Sequence, residues 1–299
     1  MLDTIGVTCP VGQPVDPVNL ETQGWTIHTV SNQADGISVF ATVACQASGD
    51  ARFKYFANAQ QLNVEVSLPK LLKGDNSLLL SWPEVATGLV QVSKLAQDVL
   101  RSCLPPIEDW QVFRLDPVWA WPVNPDPYIA ALHFGRLRGS QVAQEPGSVR
   151  WRSLRSGSIF ARFYDKSHEA GHDVDLPTRF ERQIRPKKQV IRVDGEQIGR
   201  KVSDLNQDTL LGLLREGASQ VGIDKPVKSI PALRPVLIDA LGKRSGSNIF
   251  RVLLEAREFG GFPSDLADAT RRKYERQLKQ AGVGMVSQGA ELPGLVIGA

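Results

Sequence analysis

The chain has 299 residues, a formal net charge of +3 and 22% charged side chains, a balance typical of a soluble protein with one large or two medium domains. No run of about 18 apolar residues is present, which argues against a membrane-spanning helix, and the first ten residues lack the basic start and apolar core of a signal peptide. Three cysteines, odd in number and far apart, argue against a disulfide framework and a Cys-type zinc site. We therefore expect a protein of the reducing cytoplasm.

Charge is distributed unevenly along the chain. Residues 1–50 contain no Lys or Arg but five acidic side chains, whereas residues 136–201 contain 15 basic and 8 acidic ones. A basic region of this kind suits a phosphate backbone, which releases counterions when cations bind it. A solvated basic face gives the same pattern, so charge alone leaves both interpretations open.

The first part of the chain predicts a strand-rich region with one long helix. Period-two alternation of apolar residues and turn-forming Gly, Pro and Asn predict the strands, which are 2–8, 25–30, 37–45, 62–68 and 111–116. Apolar residues at helical spacing predict a helix that begins at Trp82 and is stopped by Pro105.

In the second part of the chain, the predicted elements are helices and strands up to Gly199 and helices after it. Residues 125–137 predict a helix and three strands follow, at 158–164, 178–184 and 189–193; the later helices are predicted at 203–220, 230–241, 247–257 and 264–281. The tail from Gly282 is expected to be loose. Together these segments predict an α+β fold, with an antiparallel-sheet domain over 1–200 and a smaller helical domain over 201–299.

Candidate catalytic residues concentrate in the stretch 153–185. Tyr164 closes the strand 158–164, and Asp165 and Lys166 follow it directly. If the extended backbone continues, Lys166 shares a face with Tyr164. Because a tyrosine ionises near pH 10 in water, a nearby cation would make it a better nucleophile. An aromatic hydroxyl, carboxylates and basic side chains suit chemistry on a phosphodiester.

Short motifs around these residues resemble those of a known family. SLPKLLKGDN at 67–76 is followed by RLD at 114–116, YDK at 164–166 and RFE at 179–181. This series is similar to the gene II/X-type rolling-circle replication initiators of filamentous phages and related plasmids. The resemblance implies a metal-dependent nickase whose tyrosine attacks one DNA strand at the origin, holds the 5′ phosphate covalently, leaves a 3′ hydroxyl and later rejoins the strand.

The resemblance also implies roles for individual residues. Tyr164 falls at the nucleophile, and Asp116 and Glu181 fall at the metal-binding acids, with Asp165 as a candidate third ligand and Glu169 as a weaker one. The chain contains no His-x-His pair, so Mg2+ or Mn2+ would be held mainly by carboxylates. Lys166 would support the negative charge that develops during the reaction.

The implied partners are double- and single-stranded DNA at a replication origin, with a host helicase and a polymerase as further partners. The carboxy-terminal helices would bind duplex DNA or assemble initiators, for example as a homodimer. The side chains expected to contact the DNA backbone are Arg152, Arg155, Arg162, Arg182 and Arg185.

Two alternatives remain open at this point. Tyr164 can be an ordinary tyrosine at a strand end, with Arg114 paired to Asp116 and Arg179 to Glu181; the chain would then be an origin-binding protein without catalysis. The second alternative is a zinc metallopeptidase, because residues 168–172 match H-E-x-x-H. That motif requires both histidines on one face of a continuous helix.

Overall fold

The structure is a computed structural model that describes residues 1–34, 37–134, 137, 139–155, 159–186, 191–193, 196–259, 262, 266–287 and 291–298. The strands are β1 (Leu2–Pro10), β2 (Thr26–Ala34), β3 (Ile37–Ser48), β4 (Ala51–Phe56), β5 (Gln61–Ser67), β6 (Gln111–Trp121), β7 (Leu132–His133), β8 (Ser140–Glu145), β9 (Ser148–Ser153), β10 (Ile159–Asp165), β11 (Thr178–Arg182), β12 (Ile191–Val193), β13 (Glu196–Ile198), β14 (Lys228–Ser229) and β15 (Met285–Ser287). The helices are α1 (Pro17–Thr22), α2 (Leu68–Lys73), α3 (Trp82–Leu100), α4 (Asp126–Ile129), α5 (Lys166–Ala170), α6 (Gln207–Val221), α7 (Ile230–Leu241), α8 (Lys243–Phe259) and α9 (Asp268–Gln280).

The chain divides into two compact units. The first comprises Met1–Val118 and Gln183–Leu213, and the second comprises Trp119–Arg182 and Leu214–Ala299. Residue 200 lies inside the second segment of the first unit, and the division into 1–200 and 201–299 stays a prediction. Parts of the predicted segments, at 135–136, 158, 189–190, 264–265 and 288–290, lie outside the described residues.

An antiparallel sheet forms the framework of the first unit, with strand order β2-β3-β4-β5-β1-β6. Strand β5 shows why these residues form strands, because its apolar side chains at 62, 64 and 66 are buried while the residues between them are more exposed. Helix α3 begins at a capping box, in which the Glu84 carboxylate accepts a hydrogen bond from the Ser81 backbone N–H at 2.7 Å. Its buried face packs against β5.

The second unit combines a sheet with a helical core. Its larger sheet has the order β11-β10-β9-β8, with antiparallel pairing throughout. Helices α7, α8 and α9 bury a cluster that includes Leu233, Leu237, Ile249, Leu253 and Leu278. The predicted α+β class, with its antiparallel sheet and helical carboxy-terminal region, is confirmed.

Two segment predictions are wrong, for one shared reason. The helix predicted over 125–137 ends at Ile129, because Leu132 and His133 form β7 and pair with β15. The described part of the tail beyond Gly282, residues 283–287 and 291–298, is not loose, because it contains β15 and donates the Leu295 N–H to the Ile223 carbonyl at 2.8 Å. Both outcomes depend on contacts between residues far apart in sequence, which local periodicity does not register.

Among the residues that the structure describes, none of the helices combines the length and apolar character that a membrane crossing requires.

Candidate functional site

Tyr164 lies at the end of β10, in the middle of the second unit's larger sheet. It pairs in register with Ser148 on β9 and with Arg179 on β11. Its side chain is buried, with 3% exposure. The guanidinium carbon of Arg162, two residues earlier on the same strand face, lies 3.9 Å from the centre of the tyrosine ring. The cation therefore covers the ring, which is a favourable cation–π contact.

Arg162 also connects the tyrosine to two carboxylates. Its Nε and Nη2 atoms each lie 3.0 Å from Oε2 of Glu181, the residue opposite it in register on β11. Its Nη1 lies 2.7 Å from Oε1 of Glu169, and Oε2 of Glu169 accepts a hydrogen bond from Nζ of Lys166 at 2.7 Å. These residues (Tyr164, Arg162, Glu181, Glu169 and Lys166) are called the Tyr164 cluster below.

The electrostatics of the Tyr164 cluster keep the tyrosine protonated. Burial raises the pKa of the Tyr164 phenol, and the nearby Arg162 guanidinium offsets only part of that effect. Burial alone would also raise the pKa of Glu169, but Arg162 and Lys166 reverse the direction and hold it below its ordinary value. At neutral pH the cluster therefore combines a neutral phenol with ionised Glu169.

The sequence predicted that Lys166 shares a strand face with Tyr164 if the extended backbone continues. This prediction is wrong, because the strand ends at Asp165. The Asp165 carboxylate accepts a hydrogen bond from the Ser167 N–H at 2.8 Å and caps α5, so the chain turns into a helix at Lys166. The Lys166 side chain is nevertheless buried, at 2% exposure, and belongs to the cluster through Glu169.

Asp116 lies in the first unit, on β6. Its carboxylate accepts hydrogen bonds from Arg114 Nε at 3.1 Å and 2.9 Å, and Arg114 Nη1 lies 2.5 Å from Oε1 of Glu65. Burial raises the pKa of Asp116, although the Arg114 guanidinium acts in the opposite direction. The ion pair between Arg114 and Asp116, considered as the structural alternative, is therefore present.

The carboxylates predicted to hold a metal do not fit one as they are arranged. Asp116 is engaged by Arg114 in the first unit, while in the second unit Glu181 is engaged by Arg162 and Asp165 caps a helix. Within the described part of the chain, His, Cys, Asp and Glu form no group of three with the spacing of a metal site. Mg2+ and Mn2+ require several oxygen ligands, so their binding stays a prediction.

The H-E-x-x-H segment lacks the helix that a zinc metallopeptidase requires. Helix α5 ends at Ala170, and Gly171 follows with a left-handed φ of 74°, so His172 lies beyond the helix. Glu169 is occupied by Arg162 and Lys166. The two histidines therefore do not lie one turn apart on a single helical face, and the metallopeptidase alternative is contradicted.

The arginines expected to contact DNA differ in their surroundings. Arg152 pairs with Glu145 at 2.5 Å, and Arg182 pairs with Glu216 at 3.0 Å. Arg155, in the second unit, is exposed. Arg185 is also exposed but belongs to the first unit, and Arg162 lies within the Tyr164 cluster.

The sequence interpretation missed the central position of Arg162. The shared strand face of Arg162 and Tyr164 can be predicted from the sequence, because side chains two residues apart on a strand lie on the same face. Its pairing with Glu181 depends on the register between β10 and β11, which the sequence does not determine by itself. The sequence predicted a pair between Arg179 and Glu181, whereas the contact described here joins Glu181 to Arg162 across the strands.

Comparisons with known proteins give little beyond this geometry. No protein-family model matches the chain, and no curated protein is similar to it. Among solved structures, a rolling circle replication initiator protein from Geobacillus stearothermophilus matches over 62% of this chain and 73% of that chain, with 17% sequence identity and a TM-score of 0.26. The link is distant, and at this TM-score it carries no argument about fold or function.

Proposed function

We propose that this protein binds DNA through its second unit, at the origin of a rolling-circle replication system. The observation that carries the proposal is the separation of charge between the two units. The second unit contains 22 basic and 16 acidic side chains, whereas the first contains 13 basic and 16 acidic ones. Their formal net charges are therefore +6 and −3, and a phosphate backbone would favour the second unit.

The motif series RLD, YDK and RFE supports the assignment to a rolling-circle origin, because it matches the order found in the rolling-circle initiator family. In such a role the protein would work in the cytoplasm of a bacterial host, with double- and single-stranded origin DNA, a helicase and a polymerase as partners. Phage and plasmid origins fit equally well.

Binding without cleavage is the form of the proposal that the site geometry favours. A nucleophilic oxygen must come within about 3–3.5 Å of the atom it attacks, yet the Tyr164 side chain is 3% exposed and lies under Arg162. Burial also raises the pKa of its phenol. Glu169 and Glu181 add negative charge next to the ring, which opposes the approach of a phosphodiester.

Nicking by Tyr164 is the second candidate, and the two cations of the cluster favour it. If Arg162 moves off the ring, it and Lys166 supply two cations within the Tyr164 cluster that can stabilise the charge of a phosphoryl transfer. The tyrosine oxygen then bonds to phosphorus as the bond from phosphorus to the 3′ oxygen breaks. The departing 3′ oxygen takes up a proton, and the phenol proton is lost to solvent.

DNA binding is tested by fluorescence anisotropy with the full chain and a labelled duplex, at salt concentrations from 50 to 200 mM. We expect the affinity to fall steeply with salt, and Arg155→Glu in the second unit to weaken binding by about tenfold. Lys94→Glu, an exposed lysine on α3 of the first unit, is the matched control and should change the affinity less than about twofold. Equal losses in both variants would contradict the assignment to the second unit.

Nicking is tested on supercoiled DNA that carries the origin, with Mg2+, for the wild-type protein and Tyr164→Phe. Products are separated under denaturing conditions with and without protease. Binding without cleavage predicts no open circles with either protein and equal DNA affinity. Open circles with protein on the 5′ end, absent in Tyr164→Phe, would instead establish the nickase.

A further inference from the structure

The second unit contains a cavity that the Tyr164 cluster does not use. Its volume is about 530 Å3, and its lining comes from the end of α6, the following loop, α9 and the segment before β15. This volume falls within the range of small-molecule sites, about 300–1,000 Å3. The lining side chains that matter for recognition are Phe134, Lys225, Arg272, Arg276, Lys279 and Val283.

One side of the cavity is cationic. Arg272, Arg276 and Lys279 follow one another at intervals of four and three residues along α9, so they share a helical face. Lys225 approaches from the loop after α6. Glu275 is the acidic residue of the lining, and its carboxylate already lies 3.6 Å from Nε of Arg271. Four cations around one cavity repel one another until an anion enters.

The other side of the cavity is apolar and firmly built. Phe134 and Val283 are both buried in the hydrophobic cluster of the second unit. The Phe134 ring centre lies 5.0 Å from that of Phe262, and the Phe134 N–H donates to the Gly284 carbonyl at 3.0 Å. These contacts hold the ring in place before any ligand arrives.

Two glycines shape the base of the cavity. A Cβ atom built on either Gly222 or Gly284 would come within 2.5 Å of the other's Cα, so only glycine permits the backbones to meet there. Gly222 also has a φ of +81°, which favours glycine. The cavity is therefore a built feature of the fold.

We propose that this cavity binds one nucleotide, with the base against Phe134 and Val283 and the phosphate on Arg272, Arg276 and Lys279. The inference rests on the proposed function, because an unpaired nucleotide of single-stranded DNA is a ligand that an initiator meets at an opened origin. Aromatic side chains are common stacking partners for unpaired bases. A duplex, about 20 Å wide, is too large for a cavity of this volume, so recognition here is specific for unpaired nucleotides.

The test compares two charge reversals on the same helix. Arg276 lines the cavity, whereas Lys273 is exposed on α9 and does not. Arg276→Glu and Lys273→Glu are measured in the full chain by anisotropy with labelled dT10, with a labelled duplex and with a labelled thymidine monophosphate. Thermal unfolding of each variant checks that the fold is intact.

We expect Arg276→Glu to weaken dT10 binding by about tenfold and Lys273→Glu by less than about twofold, with equal effects of both on the duplex. Equal losses of dT10 binding in the two variants would overturn the inference. Monophosphate binding that depends on Arg276, without dT10 binding, would keep the nucleotide site but overturn its use for single strands. If no DNA form binds the wild-type protein, the proposed function fails, and the monophosphate measurement still decides whether the cavity is a nucleotide site.

Discussion

Each of the two units contains a strand on which an arginine lies between two carboxylates. In the first unit Arg114 contacts Asp116 and Glu65, and in the second Arg162 contacts Glu181 and Glu169. The second group differs by the addition of Lys166 and the ring of Tyr164. The comparison shows that motif acids which resemble metal ligands in the sequence are neutralised by arginines in both places. What distinguishes the second unit is its larger supply of cations.

The largest effect is expected from removing the arginine of the second group. Arg162→Met removes the cation that lies 3.0 Å from the Glu181 carboxylate, whose side chain is 10% exposed, and loss of one partner of a buried pair typically costs about 3–5 kcal/mol. Urea denaturation followed by circular dichroism measures the change. Arg162→Met with Glu181→Gln should recover part of the loss, because the uncompensated charge is then gone. A loss below about 1 kcal/mol in the single variant would show that the pair is effectively solvated.

A smaller effect is expected from His133 of the second unit, a half-buried histidine whose ring packs edge-on against Trp151. Burial lowers the pKa of His133 from 6.5 to about 4. Between these values the unfolded chain binds a proton that the folded chain does not, so the stability that His133 contributes is present above about pH 6.5 and is lost as the pH falls towards 4. The maximum loss is on the order of 3 kcal/mol.

Denaturation midpoints measured from pH 7 to pH 4 test this pH dependence. His133→Gln should reduce the slope of stability against pH, because the group that titrates is removed. His28→Gln, the same substitution at an exposed histidine of the first unit, is measured beside it for comparison. An unchanged slope in His133→Gln would contradict the prediction.

The smallest effect is expected from two helix caps, one in each unit. Asp16 accepts a hydrogen bond from the Val18 N–H at 3.0 Å, and Asp165 accepts one from the Ser167 N–H at 2.8 Å. Replacement of either by Ala should cost about 1 kcal/mol. Thermal unfolding with and without Mg2+ distinguishes capping from metal binding: if Asp165 acts only as a cap, Mg2+ shifts the midpoints of the wild type and Asp165→Ala equally.

The sequence predicted elements whose information is local. The start of helix α3 at Trp82 was predicted correctly. Its apolar spacing and the proline that follows it both lie within one short segment of the sequence. The two-residue strand β7 was not found, since His133 becomes a strand residue only through Met285. The same difference between local and distant information holds for the site. The sequence placed Tyr164 at the end of its strand, which is local information. The burial of Tyr164 and the cross-strand contact of Arg162 with Glu181 depend on register and packing, which the sequence alone does not determine.

The pairing of β7 with β15 has a consequence for the order in which the protein acquires its structure. Leu132 pairs with Val286, which also pairs with Lys228 of β14. During synthesis the partners of β7 therefore emerge from the ribosome long after it does, so this part of the second unit closes only after residue 287 has been made. The first unit likewise needs residues 183–213. We therefore expect Leu132 and Phe134 to stay exposed to chaperones until β15 has emerged.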